Sequence, residues 1–240
     1  MLSPEKLFQI WEAGLDRPPL ARAVAILRAS GTVRSDDPAR LAIGARDLEL
    51  LSLRDQAFGP EITGITVCPG CAERVEIRFC TDDVRLSAAG PPESLSLESK
   101  GYMVQFHLPS SDDLLSIEVV GDEFEDGRRI LERCIYEATL DGAPISVNAL
   151  PEALQEAIAT TMAVADPQAE IELSLECPAC MRGWTEPFDI DTFFWTELQA
   201  WAVRILHEIH QLASAYGWSE QQILALPPLR RNTYLSLIAE

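Results

Sequence analysis

Two copies of one short pattern constrain this chain more than any other feature of its sequence. They are Cys68-Pro69-Gly70-Cys71 and Cys177-Pro178-Ala179-Cys180. An apolar run with β-branched residues precedes each copy and a short alternating run follows it, a pattern typical of a β-hairpin. Two residues between the cysteines let the chain turn so that both sulfurs face one metal ion. Together the hairpins supply four thiols, the number that a closed tetrahedral zinc site needs.

The two cysteine pairs lie unusually far apart along the chain. Between Cys71 and Cys177 there are 105 residues, where an ordinary zinc ribbon has about 15–20. Loop closure entropy grows only logarithmically with length, so an insertion of this size is tolerable. We therefore predict an α+β fold, a four-cysteine zinc ribbon with an inserted α+β domain and flanking N- and C-terminal helices. The predicted segments are helical residues 1–60, a first hairpin 61–82, an acidic α+β insertion 83–170, a second hairpin 171–191 and helical residues 192–240.

The cysteine pairs have alternative interpretations as redox dithiols, as structural disulfides or as parts of two separate metal sites. Neither pair opens a helix of a βαβ unit, and we expect no signal peptide because the N-terminus has no basic region followed by an apolar stretch. Both observations favour reduced thiols that share one Zn²⁺. A zinc ion with four sulfur ligands has no open coordination position, so it is structural rather than catalytic. Many ribbons have a left-handed Gly directly after the second cysteine, whereas Ala72 and Met181 stand there in this chain.

Acidic charge is concentrated in the middle of the chain. The formal net charge is −19, and residues 61–200 carry 27 acidic against 8 basic side chains, while both ends are neutral. Such charge serves solubility and repels phosphate, so we expect no nucleic acid partner. A basic protein partner would complement it. Since no apolar run is long enough to span a membrane, we expect a cytoplasmic protein without membrane contact.

Periodicity and capping signals predict the remaining elements. The predicted helices cover residues 4–14, 20–29, 37–58, 109–120, 123–134, 151–165, 194–216, 220–226 and 229–239. The third helix begins at a cap, either Asp36 or Asp37, and Gly217 ends the long helix. A strand over 102–108 and a hairpin around Asp141-Gly142 are expected in the insertion.

Other residues with reactive side chains show no catalytic pattern. His207 and His210 are three residues apart rather than the four of a zinc protease, and we interpret them as solvated helix residues. His107 is interpreted as a strand residue, and Cys80 and Cys134 as buried or half-buried thiols. The chain has no nucleophile motif, no P-loop and no dinucleotide fingerprint, so we expect no enzymatic activity.

Several longer segments together resemble a known family. Leu50 to Pro60 leads directly into the first cysteine pair, a Phe-x-Leu-Pro-Ser-x-x-Asp-Leu element spans 106–114, and Leu131-Glu132-Arg133-Cys134 follows. Pro187-Phe188-Asp189-Ile190 comes after the second pair, and Tyr216-Gly217-Trp218-Ser219 opens the tail. The chain resembles zinc-ribbon proteins related to the T-even phage baseplate hub assembly family, which are encoded with phage-tail-like contractile injection systems.

This resemblance implies a non-enzymatic factor that helps to build the baseplate hub, or a minor baseplate component. Its partners would be baseplate or hub proteins, and it could be incorporated in the assembled particle. Two alternatives are a zinc-ribbon module associated with nucleic acid or transcription, and a thiol- or metal-dependent enzyme. We hypothesise that the helical tail binds the partner through Trp218, Ile223, Leu224, Arg230, Arg231 and Tyr234.

Overall fold

The computed structural model describes residues 2–33, 37–86, 92, 94–117 and 121–238 of the chain. Within these residues the helices are α1 (Pro4–Gly14), α2 (Pro19–Ser30), α3 (Ile43–Phe58), α4 (Ser111–Ser116), α5 (Glu123–Cys134), α6 (Glu152–Ala165), α7 (Ile190–Tyr216), α8 (Glu220–Leu224) and α9 (Pro228–Ile238). The strands are β1 (Glu61–Val67), β2 (Arg74–Cys80), β3 (Leu95–Ser99), β4 (Tyr102–Phe106), β5 (Ile135–Leu140), β6 (Ala143–Pro144), β7 (Glu172–Glu176) and β8 (Gly183–Pro187). The α+β class is confirmed. None of the described helices has the length and apolar character that crossing a membrane requires.

Every strand in the described residues pairs antiparallel with a neighbour, and together they form three separate sheets. β1 pairs with β2 and β7 pairs with β8, so each cysteine pair lies at the tip of a two-stranded hairpin, as predicted. We call these the first and second cysteine hairpins. The remaining strands form one sheet in the order β3-β4-β5-β6. Its last turn is the predicted Asp141-Gly142 turn, whose φ angles of 49° and 81° are the left-handed pair of a tight hairpin.

The apolar side chains gather in distinct cores. In the first core, α1, α2, α3 and the beginning of α7 surround buried residues such as Ile10 and Phe194. Ile171, at the base of the second cysteine hairpin, belongs to the same core. A second core lies between the four-stranded sheet and helices α5 and α6, around the fully buried Phe106 and Ile158. Each fully buried side chain of this kind contributes about 1.5–3 kcal/mol to folding.

A buried arginine joins the helical core to the first cysteine hairpin. Arg54 on α3 is 2% exposed and forms a two-pronged ion pair with Glu197 on α7, in which both N···O distances are 2.9 Å. Nη1 and Nη2 also donate to the backbone carbonyls of Gly59 and Glu61, where α3 passes into β1. All three nitrogens of this guanidinium therefore help to fix where the hairpin leaves the helices.

Helix α3 begins later than the sequence predicts, because backbone pairing with a distant segment competes with it. Asp37 caps only a short 3₁₀ turn, and the helix starts at Ile43. Between these points Ala42 forms an isolated β-bridge with Ser110, and the Ile43 amide donates to the Pro109 carbonyl at 3.0 Å. This pairing takes the backbone out of the helical conformation.

The helix predicted over residues 109–120 is shorter, since α4 covers only Ser111–Ser116. Ser110 and Asp113 form a capping box at its start, in which each side chain accepts from the other residue's amide. Residues 118–120 and the alternative cap Asp36 lie outside the described part of the chain.

Arg54→Lys is expected to lower the free energy of unfolding by about 2–4 kcal/mol, because a lysine cannot serve Glu197 and two carbonyls together. Urea unfolding followed by circular dichroism measures this change. Arg78→Lys is the matched control, since Arg78 pairs with Glu76 while its side chain is 75% exposed, and this variant should unfold like the wild type. Equal stability of the two variants would contradict the anchoring role of Arg54.

Candidate metal centre

The two cysteine hairpins face each other through alternate residues of their strands. Val75 of the first hairpin and Trp184 of the second pack against Cys68 and Cys177 in one small apolar cluster. Close by, the Thr66 hydroxyl donates to the Glu186 carboxylate, which also accepts from the Trp184 indole N–H at 3.3 Å. The inner faces therefore meet along both hairpins, and the cysteine tips are brought side by side.

Both tips have the same backbone geometry. The Cys68 amide donates to the Glu73 carbonyl at 2.9 Å, and the Cys177 amide donates to the Arg182 carbonyl at 2.9 Å. In each tip the residue after the second cysteine donates back to the carbonyl of the first, at 3.0 Å for Ala72 and 2.9 Å for Met181. The two turns are thus structural copies, as the repeated pattern predicts.

The four thiols of Cys68, Cys71, Cys177 and Cys180 meet in one cluster, which we call the four-thiol cluster. All four sulfurs lie within 4.8 Å of one another. Two sulfur–sulfur contacts cross between the hairpins, at 3.7 Å for Cys68–Cys180 and 3.6 Å for Cys71–Cys177. In each contact one cysteine is buried and the other is exposed. The edge of a tetrahedron with metal–sulfur bonds of about 2.3 Å measures about 3.8 Å. The four cysteines could therefore hold one metal ion.

Hydrogen bonds divide the protons unevenly within the four-thiol cluster. Burial raises the pKa of the Cys68 thiol, but hydrogen bonds from the Cys71 and Gly70 amides and the neighbouring thiols lower it to about 6. A hydrogen bond from the Glu73 amide lowers the pKa of the Cys71 thiol. Hydrogen bonds between this thiol and the other three, Cys180 first, outweigh that effect and raise the pKa to about 12. A thiolate thus forms more easily at Cys68 than at Cys71, whose proton a bound cation would release.

Left-handed backbone geometry is kept at both tips without glycine. Ala72 has a φ of 60° and Met181 a φ of 58°, a conformation that costs a residue with a side chain about 1–2 kcal/mol. The unusual residues noted in the sequence have therefore not changed the turn. The cost is borne because the rest of each tip holds the cysteines in place.

Gly70 of the first tip lies close to side chains of the second tip. A Cβ on Gly70 would lie 2.8 Å from Cδ of Arg182 and 3.6 Å from the sulfur of Cys180. Ala179 occupies the equivalent place in the second tip and is exposed. The two tips thus differ at a position where an added carbon atom in the first tip would displace the Arg182 side chain.

Part of the predicted partner-binding set is buried. Ile223 and Leu224 are 0% and 8% exposed and pack against α7. Arg231 is 7% exposed and pairs with Glu208 of α7 at 2.7 Å. These three side chains hold the tail to the long helix and are not available for a partner, which corrects the hypothesis for them.

The other predicted tail residues reach the surface. Trp218 is half-buried, stacks on Tyr216 with ring centroids 4.7 Å apart, and meets Tyr234 edge-on at 4.9 Å. Arg230 is exposed. The tail therefore presents an aromatic cluster and one exposed arginine.

Of the five residues interpreted without a functional role, three lie as predicted and two do not. His107 follows the end of β4 instead of lying in a strand. His207 and His210 are exposed on α7 as predicted, and Cys134 is fully buried. Cys80 is exposed, contrary to the prediction, because it ends β2 on the outward side of the hairpin. The sequence reasoning missed the Thr66–Glu186 contact, although strand alternation places both residues on the inner faces.

Ala72→Gly and Met181→Gly are each expected to raise the free energy of unfolding by about 0.5–1 kcal/mol, because glycine adopts a positive φ without strain. Ala179→Gly is the matched control, since this residue lies in the same turn without a positive φ and the change should lower stability slightly. Chemical unfolding of the three variants measures the difference. A loss of stability in Ala72→Gly would show that its backbone is not strained.

A protein-family model matches the part of the chain that contains both cysteine hairpins. The family model described as T4 bacteriophage base plate protein matches residues 22–195. The match runs from α2 to the first turns of α7 and includes both cysteine hairpins. No curated protein and no solved structure matches the chain. Because the family model covers well over half of the sequence, the chain belongs to the T4 bacteriophage base plate protein family.

Proposed function

We propose that this chain is a non-enzymatic assembly factor or minor component of the baseplate hub of a phage-like contractile injection system, with one structural Zn²⁺ held by the four-thiol cluster. The observation that carries the proposal is the baseplate family match across both cysteine hairpins, whose thiols form a closed set of four ligands. A closed set leaves no position for a substrate, so the ion would act as a cross-link.

Zinc suits the four-thiol cluster best among common cellular metals. Thiolates are soft ligands that select zinc, copper(I) or iron–sulfur clusters, and four of them in a tetrahedron are typical of structural zinc. The sulfur–sulfur distances of 3.6 Å and 3.7 Å match this geometry. The free energy of zinc binding would contribute directly to folding, since the site requires both hairpins.

The C-terminal tail is the part of the chain that we propose to contact the hub. It lies beyond residue 195, where the family match ends. Its last helix presents Leu229 at 82% and Leu237 at 55% exposure, next to the exposed Arg230. Together with Trp218 and Tyr234 this surface offers the aromatic, apolar and arginine contacts that protein interfaces favour.

Protein purified without added metal is expected to contain one tightly held zinc per chain. Cys68→Ser and Cys177→Ser should lose it, together with about 4 kcal/mol of stability, a fall of roughly 10 °C in the unfolding midpoint. Cys80→Ser is the control, because Cys80 is exposed and outside the cluster. Elemental analysis and thermal unfolding test this, and full zinc content in Cys177→Ser would contradict a shared site.

Cells that produce the contractile particle but lack this chain are expected to form no complete baseplates in electron micrographs. The wild type should restore them, while the combined variant Leu229→Asp and Arg230→Glu should not, because it reverses the character of the tail surface. Val164→Asp is the matched control, since Val164 is an exposed apolar residue on α6. Complete particles without the chain would refute the proposed function, and rescue by the tail variant would refute only the tail contact.

A further inference from the structure

A second group of metal-binding side chains lies in the region between the cysteine hairpins. It consists of His107 after β4, Asp113 in the first turn of α4 and Cys134 at the end of α5. A ring nitrogen, a carboxylate oxygen and the sulfur of these residues lie within 4.8 Å of one another. No sequence motif connects them, and the fold alone brings them together.

Backbone and side-chain hydrogen bonds fix the three residues relative to one another. The His107 amide donates to the Cys134 carbonyl at 3.0 Å, which ties the end of β4 to the end of α5. Asp113 is held by the Ser110 amide and hydroxyl at 3.0 Å and 2.6 Å, and both of these bonds end on Oδ2. The same oxygen lies 3.7 Å from Nδ1 of His107, so the carboxylate and the ring are held side by side.

A backbone carbonyl fixes which nitrogen of the His107 ring carries the proton. Its Nδ1 lies 2.9 Å from the Leu108 carbonyl, and because a carbonyl only accepts, Nδ1 carries the proton in this contact. The lone pair then belongs to Nε2. In metalloproteins a hydrogen bond from one ring nitrogen to a backbone carbonyl commonly fixes the tautomer of a histidine ligand.

A cavity of about 650 Å³ opens on one side of this group. His107 and Asp113 line it, together with Arg40, Asp112 and Arg133. Cys134 is fully buried, so its sulfur cannot act as a nucleophile toward a molecule in the cavity. A metal ion bound by the three residues would instead have three protein ligands and one position directed toward solvent, the arrangement of an open metal site.

We propose that His107, Asp113 and Cys134 form a second metal site, which binds a divalent transition metal ion such as Zn²⁺ or Co²⁺ with one coordination position open to the cavity. Nitrogen, oxygen and sulfur donors together suit metals of this class. With three protein ligands instead of four, the site binds more weakly than the four-thiol cluster. It is therefore filled by added metal rather than retained through purification.

Titration of the purified, zinc-containing protein with Co²⁺ tests this proposal. We expect one further equivalent to bind, with a sulfur-to-cobalt charge-transfer band of the intensity of one thiolate and with no release of zinc. His107→Ala and Cys134→Ala should each weaken Co²⁺ binding at least about 100-fold, because each removes a direct ligand. Cys80→Ala, which changes an exposed cysteine outside both groups, should bind Co²⁺ like the wild type.

Two readouts keep the result independent of folding and of the four-thiol cluster. Far-ultraviolet circular dichroism and the retained zinc should be unchanged in His107→Ala, whose side chain is 36% exposed in the native protein. Absence of a second equivalent in the wild type would overturn the proposal. Equal Co²⁺ affinity in the wild type and in folded His107→Ala would also overturn it.

Discussion

Four thiols have to meet within one coordination sphere, although the two pairs lie 105 residues apart along the chain. The helical core makes this possible by holding the bases of both hairpins. Phe79 from the first hairpin meets Phe188, directly after the second, edge-on with ring centroids 5.3 Å apart. Arg54 fixes the point where the first hairpin leaves α3. The core thus aligns the bases of the two hairpins, and the four thiols bring the hairpin tips together. The region between the hairpins therefore begins and ends at the same packed unit.

Each cysteine tip contains a residue other than glycine in the left-handed conformation. A positive φ at Ala72 and at Met181 is retained because the geometry directs two sulfurs toward the opposite hairpin. The crossed pairing of sulfurs means that neither hairpin can complete a site alone. A bound ion would therefore depend on the whole fold, and the fold would depend on the ion, a reciprocity expected of a structural metal site.

The sequence predicted local features well and long-range contacts poorly. Both cysteine hairpins, the Asp141-Gly142 turn and the end of α7 at Gly217 follow from residues close together in the chain. The predicted start of α3 was wrong because the amide of Ile43 donates to the carbonyl of Pro109, a partner that no local pattern indicates. Arg231 was likewise predicted to be available on the surface, because the sequence does not indicate its ion pair with Glu208. The group of His107, Asp113 and Cys134 arises from three separate elements, so spacing along the chain could not reveal it.

Membership of the baseplate family and a closed four-thiol cluster together support a structural role, in which a metal ion stabilises a protein that others dock onto. The proposed function requires one zinc ion shared by both hairpins. X-ray absorption at the zinc edge of the purified protein identifies the atoms bound to that ion. Four sulfur neighbours at about 2.3 Å, and no nitrogen or oxygen neighbours, is the predicted result. Two sulfurs with nitrogen or oxygen ligands would contradict a shared site, because each hairpin would then bind its own metal.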